Sequence, residues 1–194
     1  MTINDIISNV RVYGFEASIR RSKYPMSIDT NACTSEVTKT TYSLGQSPVG
    51  SGHDNWLNGI IVQFDLTFTN KAWVEAERYH FLDFVSSQST MHRITKFNLD
   101  KAYIEYTDPR MIEIMQQLVD QYNADPTSDN YLKVLYSNPA GFKLTAGMTT
   151  NYRQLKTIYY QRKNHRLPEW QVFCEWIATL PMFKGLILNE NSQN

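Results

Sequence analysis

Apolar and polar residues alternate most regularly between Ile60 and Phe68. Every second residue of this segment is apolar, so one face can pack on a core while the other stays mixed, which predicts a β-strand. An earlier segment, Val10 to Ile19, predicts another strand with a kink at Gly14. Residues 20–52 are rich in Ser, Thr, Asn, Pro and Gly, which indicates a long irregular region. Such a region is either an ordered functional loop or a mobile surface loop.

After Asn70 the apolar spacing changes to three and four residues, which predicts helices. The first is expected from Lys71 to Val85, capped by Asn70, with Trp73, Ala76, His80 and Phe84 on one face. Four further helices are expected. One begins at Asp108-Pro109, and a short one spans residues 129–136. A third runs from a Thr150 cap to Asn164, and the last begins at Pro168 and ends at Pro181. The helix from Pro109 is predicted to bury Met111, Ile114, Met115, Leu118 and Tyr122. The helix after Thr150 is predicted to bury Asn151, Leu155, Ile158 and Arg162, and the helix from Pro168 is predicted to bury Trp170, Phe173, Cys174 and Ile177.

Strands and helices mixed in this way predict an α+β fold, a sheet with packed helices. The length of 194 residues fits one domain, which we expect over residues 1–188, followed by a polar tail at 189–194. Aromatic residues make up 13% of the chain. They can fill a core, and Tyr and Trp also suit ligand pockets and subunit interfaces.

The charge balance and the spacing of the two cysteines argue against some classes of function. Lys+Arg and Asp+Glu both total 19, so the basic excess of a general nucleic-acid-binding protein is missing, although a local basic pocket remains open. Cys33 and Cys174 form no metal-binding spacing. No signal-like or membrane-spanning apolar run is present, so we expect a cytoplasmic protein that binds neither membrane nor metal.

Polar clusters suggest ligand binding. Gly52-His53-Asp54 precedes the strongest strand, and Arg78-Tyr79-His80 follows it. The run from Ser86 to Arg93 combines hydroxyl and amide side chains with His92 and Arg93. Such a run can hold a phosphate, because hydroxyls and backbone N–H groups donate to it and Arg forks onto its oxygens. The alternative is a capped turn with a solvated Arg.

A second polar cluster lies near the C-terminus: Asn151, Arg153, Arg162, His165 and Glu169. Arg162 shares a predicted face with Leu155 and Ile158, so its guanidinium should point inward and needs an anionic partner. That partner is either a structural carboxylate or a ligand. Dinucleotide, P-loop, nucleophile-elbow and metalloprotease motifs are all missing, so these side chains look like ligand holders rather than a covalent or metal centre.

The order of these clusters resembles the flavin-dependent thymidylate synthases, in particular their short bacteriophage members. In that family a His-containing loop, a strand, a helix with an Arg-His-Arg signature, and a C-terminal Asn-x-Arg helix followed by Arg and His occur in this order. Here Gly52-His53-Asp54, the strand to Phe68, Arg78-Tyr79-His80 and Asn151-x-Arg153 match, with Arg162 and His165 downstream. The resemblance runs in order from about Gly52 to Leu180.

The resemblance implies a reaction and a site. The reaction would be reductive methylation of dUMP to dTMP with FAD, NADPH and methylenetetrahydrofolate, in a homotetramer whose active sites lie between subunits. By the same resemblance FAD would be bound by His53, Arg78, His80 and Asn151, and the pyrimidine nucleotide by Gln88, Ser89, Arg93, Arg153 and Arg162. Arg162 would also be the catalytic residue, because an Arg against the uracil stabilises negative charge developing on the ring. A phage-encoded protein would act in the host cytoplasm.

Several positions depart from the family pattern. His80 stands where the family has Arg, Gln88 where it has Glu, and Thr157 where it has Asn near the flavin. These departures leave two alternatives to the enzyme. One is a non-catalytic phage module that keeps the fold to bind a nucleotide or a host protein. The other is a structural phage protein, in which the Arg residues would form ordinary ion pairs.

Overall fold

A computed structural model describes residues 1–188 as an α+β fold built on a four-stranded sheet. The predicted polar tail at 189–194 lies outside the described residues. The strands are β1 (Ile7–Tyr13), β2 (Ile61–Thr69), β3 (Asp83–Ser87) and β4 (Lys143–Asn151), in the sheet order β1-β2-β4-β3. β1 and β2 pair antiparallel, with Val12 opposite Val62. The predicted α+β fold class is confirmed.

The helices connect and cover these strands. They are α1 (Ile3–Ile6), α2 (Phe15–Arg21), α3 (Lys39–Gly45), α4 (Asn70–Ala76), α5 (Thr90–Arg93), α6 (Leu99–Ala102), α7 (Pro109–Ala124), α8 (Ser128–Ser137), α9 (Tyr152–Arg162) and α10 (Pro168–Thr179). Short 3₁₀ turns lie at Tyr24–Met26, Thr30–Ala32, Asn55–Gly59 and Ile94–Lys96, and a π-turn lies at Lys184–Leu188. No helix within residues 1–188 is long and apolar enough to cross a membrane.

The chain forms two compact units. Unit 1 comprises residues 1–66, 79–85 and the described residues from 147 onward, and unit 2 comprises residues 67–78 and 86–146. In unit 1 the core includes Phe64, Trp170, Phe173 and Trp176, and the Phe64 and Trp176 ring centroids lie 4.6 Å apart. In unit 2 the core lies around Met115, Val134 and Phe142. The expected single domain over residues 1–188 stays a prediction.

The clearest strand and two helices agree with their sequence patterns. In β2 the side chains of Val62, Phe64, Leu66 and Phe68 are buried, as the alternation predicts. α7 begins at Pro109 because the Asp108 carboxylate accepts the Arg110 N–H at 3.0 Å. In α10 all four residues of the predicted face are buried.

Other predictions are wrong at the level of single elements. The helix predicted over residues 71–85 ends at Ala76, its cap is Thr69 rather than Asn70, and β3 follows from Asp83. The apolar spacing to Phe84 fits a helix, but Phe84 and Val85 also suit a strand, and sheet pairing decides between the two. Tyr13 ends β1, because Gly14 at φ 83° turns the chain into α2 where a strand was expected.

Two more corrections concern α7 and the chain before α9. Met111 and Ile114 of α7 are 39% and 44% exposed, so the buried face is turned toward Met115 and Val119. β4, which was not predicted, runs directly into α9, and Asn151 rather than Thr150 caps that helix. The Asn151 side-chain oxygen accepts the Gln154 N–H at 2.9 Å.

Candidate ligand site in unit 1

Arg162 lies between two aromatic rings at the end of α9. Its guanidinium carbon is 5.5 Å from the Tyr79 ring centroid and 5.1 Å from the Trp170 ring centroid. Its Nε donates a 2.7 Å hydrogen bond to the Tyr79 hydroxyl. A cation at a helix C-terminus is also favoured by the helix dipole. We call Tyr79, Arg162, His165 and Trp170 the Arg162 cluster. The half-buried guanidinium is therefore held in a fixed plane inside unit 1, as the helical spacing predicted.

The segment that carries His80 is anchored on both sides. The Tyr79 hydroxyl accepts from Arg162 and donates to Gln161 Oε1 at 3.0 Å. The Phe81 carbonyl accepts a 2.6 Å hydrogen bond from the Thr150 hydroxyl. His80 lies between these fixed neighbours and is exposed, so its ring is free to face solvent or a ligand.

His165 completes the Arg162 cluster. Its backbone N–H donates to the Arg162 carbonyl at 2.9 Å, and its Nδ1 accepts the Leu167 N–H at 3.2 Å. In this second contact Nδ1 is the acceptor. Its ring centroid is 6.4 Å from that of Trp170. The cluster thus offers a cation, aromatic faces and an imidazole, which suits an anionic or heteroaromatic ligand.

The charge of Arg162 also affects the pKa of the Cys174 thiol in α10. Burial raises the pKa of Cys174 to about 12, and the Arg162 guanidinium partly offsets that rise by favouring the thiolate. Because burial is the larger effect, it favours the neutral thiol of Cys174 over the thiolate, which is the nucleophilic form.

A second set of charged side chains connects α9 with the loop before β2. The buried Asp54 carboxylate accepts from Arg153 Nε at 3.0 Å through one oxygen and from Lys156 Nζ at 2.7 Å through the other. Lys156 also donates to the carbonyls of Gly45 at 2.9 Å and Ser47 at 2.5 Å. We call Asp54, Arg153 and Lys156 the Asp54 cluster. It fixes the loop that carries His53, whose own side chain is exposed.

Unit 1 thus contains five of the predicted site residues in defined positions: His53, His80, Asn151, Arg153 and Arg162. Asn151 is buried, and its side-chain oxygen is already used by the α9 cap, which leaves the amide N–H groups as donors. Thr157 donates its hydroxyl to the Arg153 carbonyl at 3.2 Å.

The other four predicted site residues belong to unit 2. Arg78 follows α4 and is exposed, and Arg93 is exposed at the end of α5. The Gln88 side-chain oxygen accepts the Thr145 N–H at 2.9 Å, which extends the pairing of β3 with β4. Ser89 is half-buried and precedes α5, but its side chain does not cap that helix. The roles of all four in ligand binding stay predictions.

Unit 2 also has an open depression of about 360 Å³ beside α7. Asp100, Glu113, Pro109, Ile112 and Gln116 line it, and none of these is a predicted site residue. Two carboxylates would repel a phosphate, so this depression does not suit an anionic nucleotide.

Comparison of the whole chain with solved structures gives the same fold. Two crystal structures of the flavin-dependent thymidylate synthase from Helicobacter pylori, complexed with FAD and dUMP, superpose with TM-scores of 0.67 and 0.69. They cover 94% and 96% of this chain and 98% and 100% of their own, at 13% identity in both cases. The chain has the fold of the flavin-dependent thymidylate synthases. No family model and no curated protein matches the sequence.

The sequence patterns did not predict the roles of some residues in the Arg162 cluster and the Asp54 cluster. Lys156 reads as an ordinary solvated helix lysine, yet it is 1% exposed. The only sequence signal was its position four residues after Tyr152, a buried residue on the same side of α9. Trp170 and Tyr79 are typical core aromatics, and nothing in the sequence indicates that they enclose Arg162.

Proposed function

We propose that this chain binds FAD and a pyrimidine nucleotide of the dUMP type, and that it converts dUMP to dTMP by reductive methylation. The observation that carries the proposal is Arg162, half-buried and oriented by Tyr79 and Trp170, in a chain with the fold of enzymes crystallised with FAD and dUMP. NADPH and methylenetetrahydrofolate would be the co-substrates, as the resemblance of the sequence implies.

The side chains of unit 1 fit these ligands chemically. The exposed imidazoles of His53 and His80 can stack on or donate to a flavin ring, and Arg153 and Arg162 match phosphate or uracil oxygens. FAD would supply the redox chemistry of the reaction when bound. The role of Arg162 would be to lie against the uracil and stabilise negative charge that develops on its ring.

We expect the purified protein to bind both ligands. Addition of the protein to FAD should change the flavin fluorescence, and titration with dUMP should give a saturable signal in calorimetry. Arg110→Ala is a suitable control, because Arg110 is exposed on unit 2 and pairs with Asp108. A colourless preparation that changes neither signal would contradict the proposal.

Turnover separates the enzyme from the binding module. Formation of dTMP with NADPH and methylenetetrahydrofolate would establish the enzyme. Binding without turnover would favour the alternative, a phage module that keeps the fold to sequester a nucleotide or contact a host protein. One observation favours that alternative: the Thr157 hydroxyl is bonded within α9, at the position where the resemblance places an Asn near the flavin.

We also expect self-association, with a homotetramer as the proposed state. The motivation is a set of large apolar or aromatic side chains of unit 1 that are exposed in the single chain. They are Tyr13, Phe81, Phe84 and Val85, which are 49%, 59%, 50% and 67% exposed. Such side chains are more typical of subunit interfaces than of a surface that faces water. Light scattering coupled to gel filtration should give a mass above that of one chain. A monomer at all concentrations would contradict a site shared between subunits.

A further inference from the structure

Lys156 is a buried lysine whose donors are all used within the protein. A lysine ammonium has three N–H donors, and Lys156 directs them to the Gly45 carbonyl, the Ser47 carbonyl and the Asp54 carboxylate. The Lys156 side chain is 2% exposed, and that of Asp54 is 1% exposed. Lys156 therefore has no donor left for a ligand, and any effect it has on binding must pass through a neighbour.

That neighbour is Arg153, and the link is Asp54. Both carboxylate oxygens of Asp54 are occupied, one by Lys156 and one by Arg153 Nε. The ammonium also bonds to the Gly45 and Ser47 carbonyls, so it fixes where the carboxylate stands. A carboxylate held at one oxygen presents the other in a fixed direction, and this direction orients the guanidinium of Arg153.

Arg153 retains the capacity to bind an anion after this contact. A guanidinium has five N–H donors, and the bond to Asp54 uses the one on Nε, which leaves the four donors on the Nη groups. The Arg153 side chain is 33% exposed, in contrast to its two partners. A buried ion pair of Lys156 and Asp54 thus supports the partly exposed guanidinium of Arg153.

We propose that Lys156 is a positioning residue for nucleotide binding: through Asp54 it holds Arg153 in the orientation that binds an anionic oxygen of the nucleotide. This inference rests on the proposed function, in which Arg153 contacts the nucleotide. It differs from a purely structural role for Lys156, which would affect binding only through the amount of folded protein.

The test is a double-mutant cycle on dUMP affinity, measured by calorimetry on folded protein. Lys156→Met, which keeps the length of the side chain but not its charge, should weaken dUMP binding about 10–100-fold, the range found when groups that orient metal ligands are removed. In the Arg153→Ala background the same change should alter the affinity by no more than about twofold, because Lys156 then has no side chain left to orient.

Two further variants keep the test decisive. Asp54→Asn leaves Lys156 in place and should weaken dUMP binding in the wild-type background but not after Arg153→Ala. It replaces Lys156→Met if that variant fails to fold. Asn130→Ala is the matched stability control, because Asn130 is buried in unit 2 and bonds to Asp125. It should lower stability without changing dUMP affinity.

The outcomes separate this inference from the proposed function. If the wild-type protein binds neither dUMP nor FAD, the proposed function is wrong and the inference falls with it. If the wild-type protein binds dUMP, and Lys156→Met and Asp54→Asn bind it equally well, the inference alone is overturned. An equal loss in the wild-type and Arg153→Ala backgrounds would also overturn it, since Lys156 would then act independently of Arg153.

Discussion

Replacement of Arg162 by alanine is expected to lower the affinity for dUMP about 10–100-fold, which corresponds to the loss of a hydrogen-bonded charge. The guanidinium is held by the Tyr79 hydroxyl and by the rings of Tyr79 and Trp170, so its orientation exists before any ligand binds. A preorganised donor contributes more to binding and to transition-state stabilisation than one that must be ordered first.

Arg162→Lys should recover little of that affinity. A lysine keeps the charge, but it can neither fork onto two oxygens nor stack as a plane between the Tyr79 and Trp170 rings. The same mutants should be followed by thermal denaturation, because the contacts of Arg162 with Tyr79 and Trp170 also contribute to stability. Binding is then compared at temperatures where every variant is folded.

Arg166→Ala provides the matched control for Arg162. It removes the same charge four residues further along the chain, from a side chain that is exposed. If general electrostatic attraction explains the binding, both variants should weaken it equally. Unchanged dUMP affinity in a folded Arg162→Ala protein would show that the assignment of Arg162 to the ligand is wrong. A variant that no longer folds would show that Arg162 has a structural role, and would count against the ligand assignment.

The sequence predicts local features of this fold better than non-local ones. β2 is recognisable because alternation is recorded within its own residues, and α10 because Pro168 opens a helix with a continuous apolar face. β3 and β4 depend on each other, as the Gln88 and Thr145 contacts illustrate. A short segment such as Phe84-Val85 carries no information about which strand it will pair with, so helical spacing misleads there.

The same distinction applies to the candidate site. The inward direction of Arg162 follows from helical spacing within α9 alone. The ion pair of Asp54 with Lys156 joins residues 102 positions apart, and a lysine on a helix is ordinarily solvated, so no pattern could reveal it. Resemblance to a family identified the residues that could touch ligands, whereas the residues that support them became visible only in three dimensions.

Replacement of Asp54 by alanine is expected to lower the free energy of unfolding by about 3–5 kcal/mol, the cost of leaving a buried charge without its partner. Lys156 is 1% exposed and would keep only its two backbone acceptors, Gly45 and Ser47. For a chain of this size the loss corresponds to a decrease of about 6–20 °C in Tm. Urea denaturation followed by circular dichroism would measure the free energy directly.

An exposed ion pair supplies the contrast for this prediction. Arg110 and Asp108 are bonded at 2.6 Å, but their side chains are 83% and 43% exposed, so Arg110→Ala should barely change Tm. Equal effects of the two substitutions would contradict the assignment of Asp54 as a buried ionic support.

A second variant identifies the source of the destabilisation. In Asp54→Ala combined with Lys156→Met no fully buried charge remains unpaired, because the ammonium is removed together with the carboxylate. Arg153 also loses its bond to Asp54, but its side chain is 33% exposed. Replacement of a buried ion pair by apolar groups is often neutral, so the double variant should be more stable than Asp54→Ala alone. If the double variant is less stable than Asp54→Ala, the loss comes from packing around α9 and the loop before β2 rather than from an unpaired lysine. Recovery of stability without recovery of dUMP affinity would separate the structural contribution of the Asp54 cluster from its orientation of Arg153.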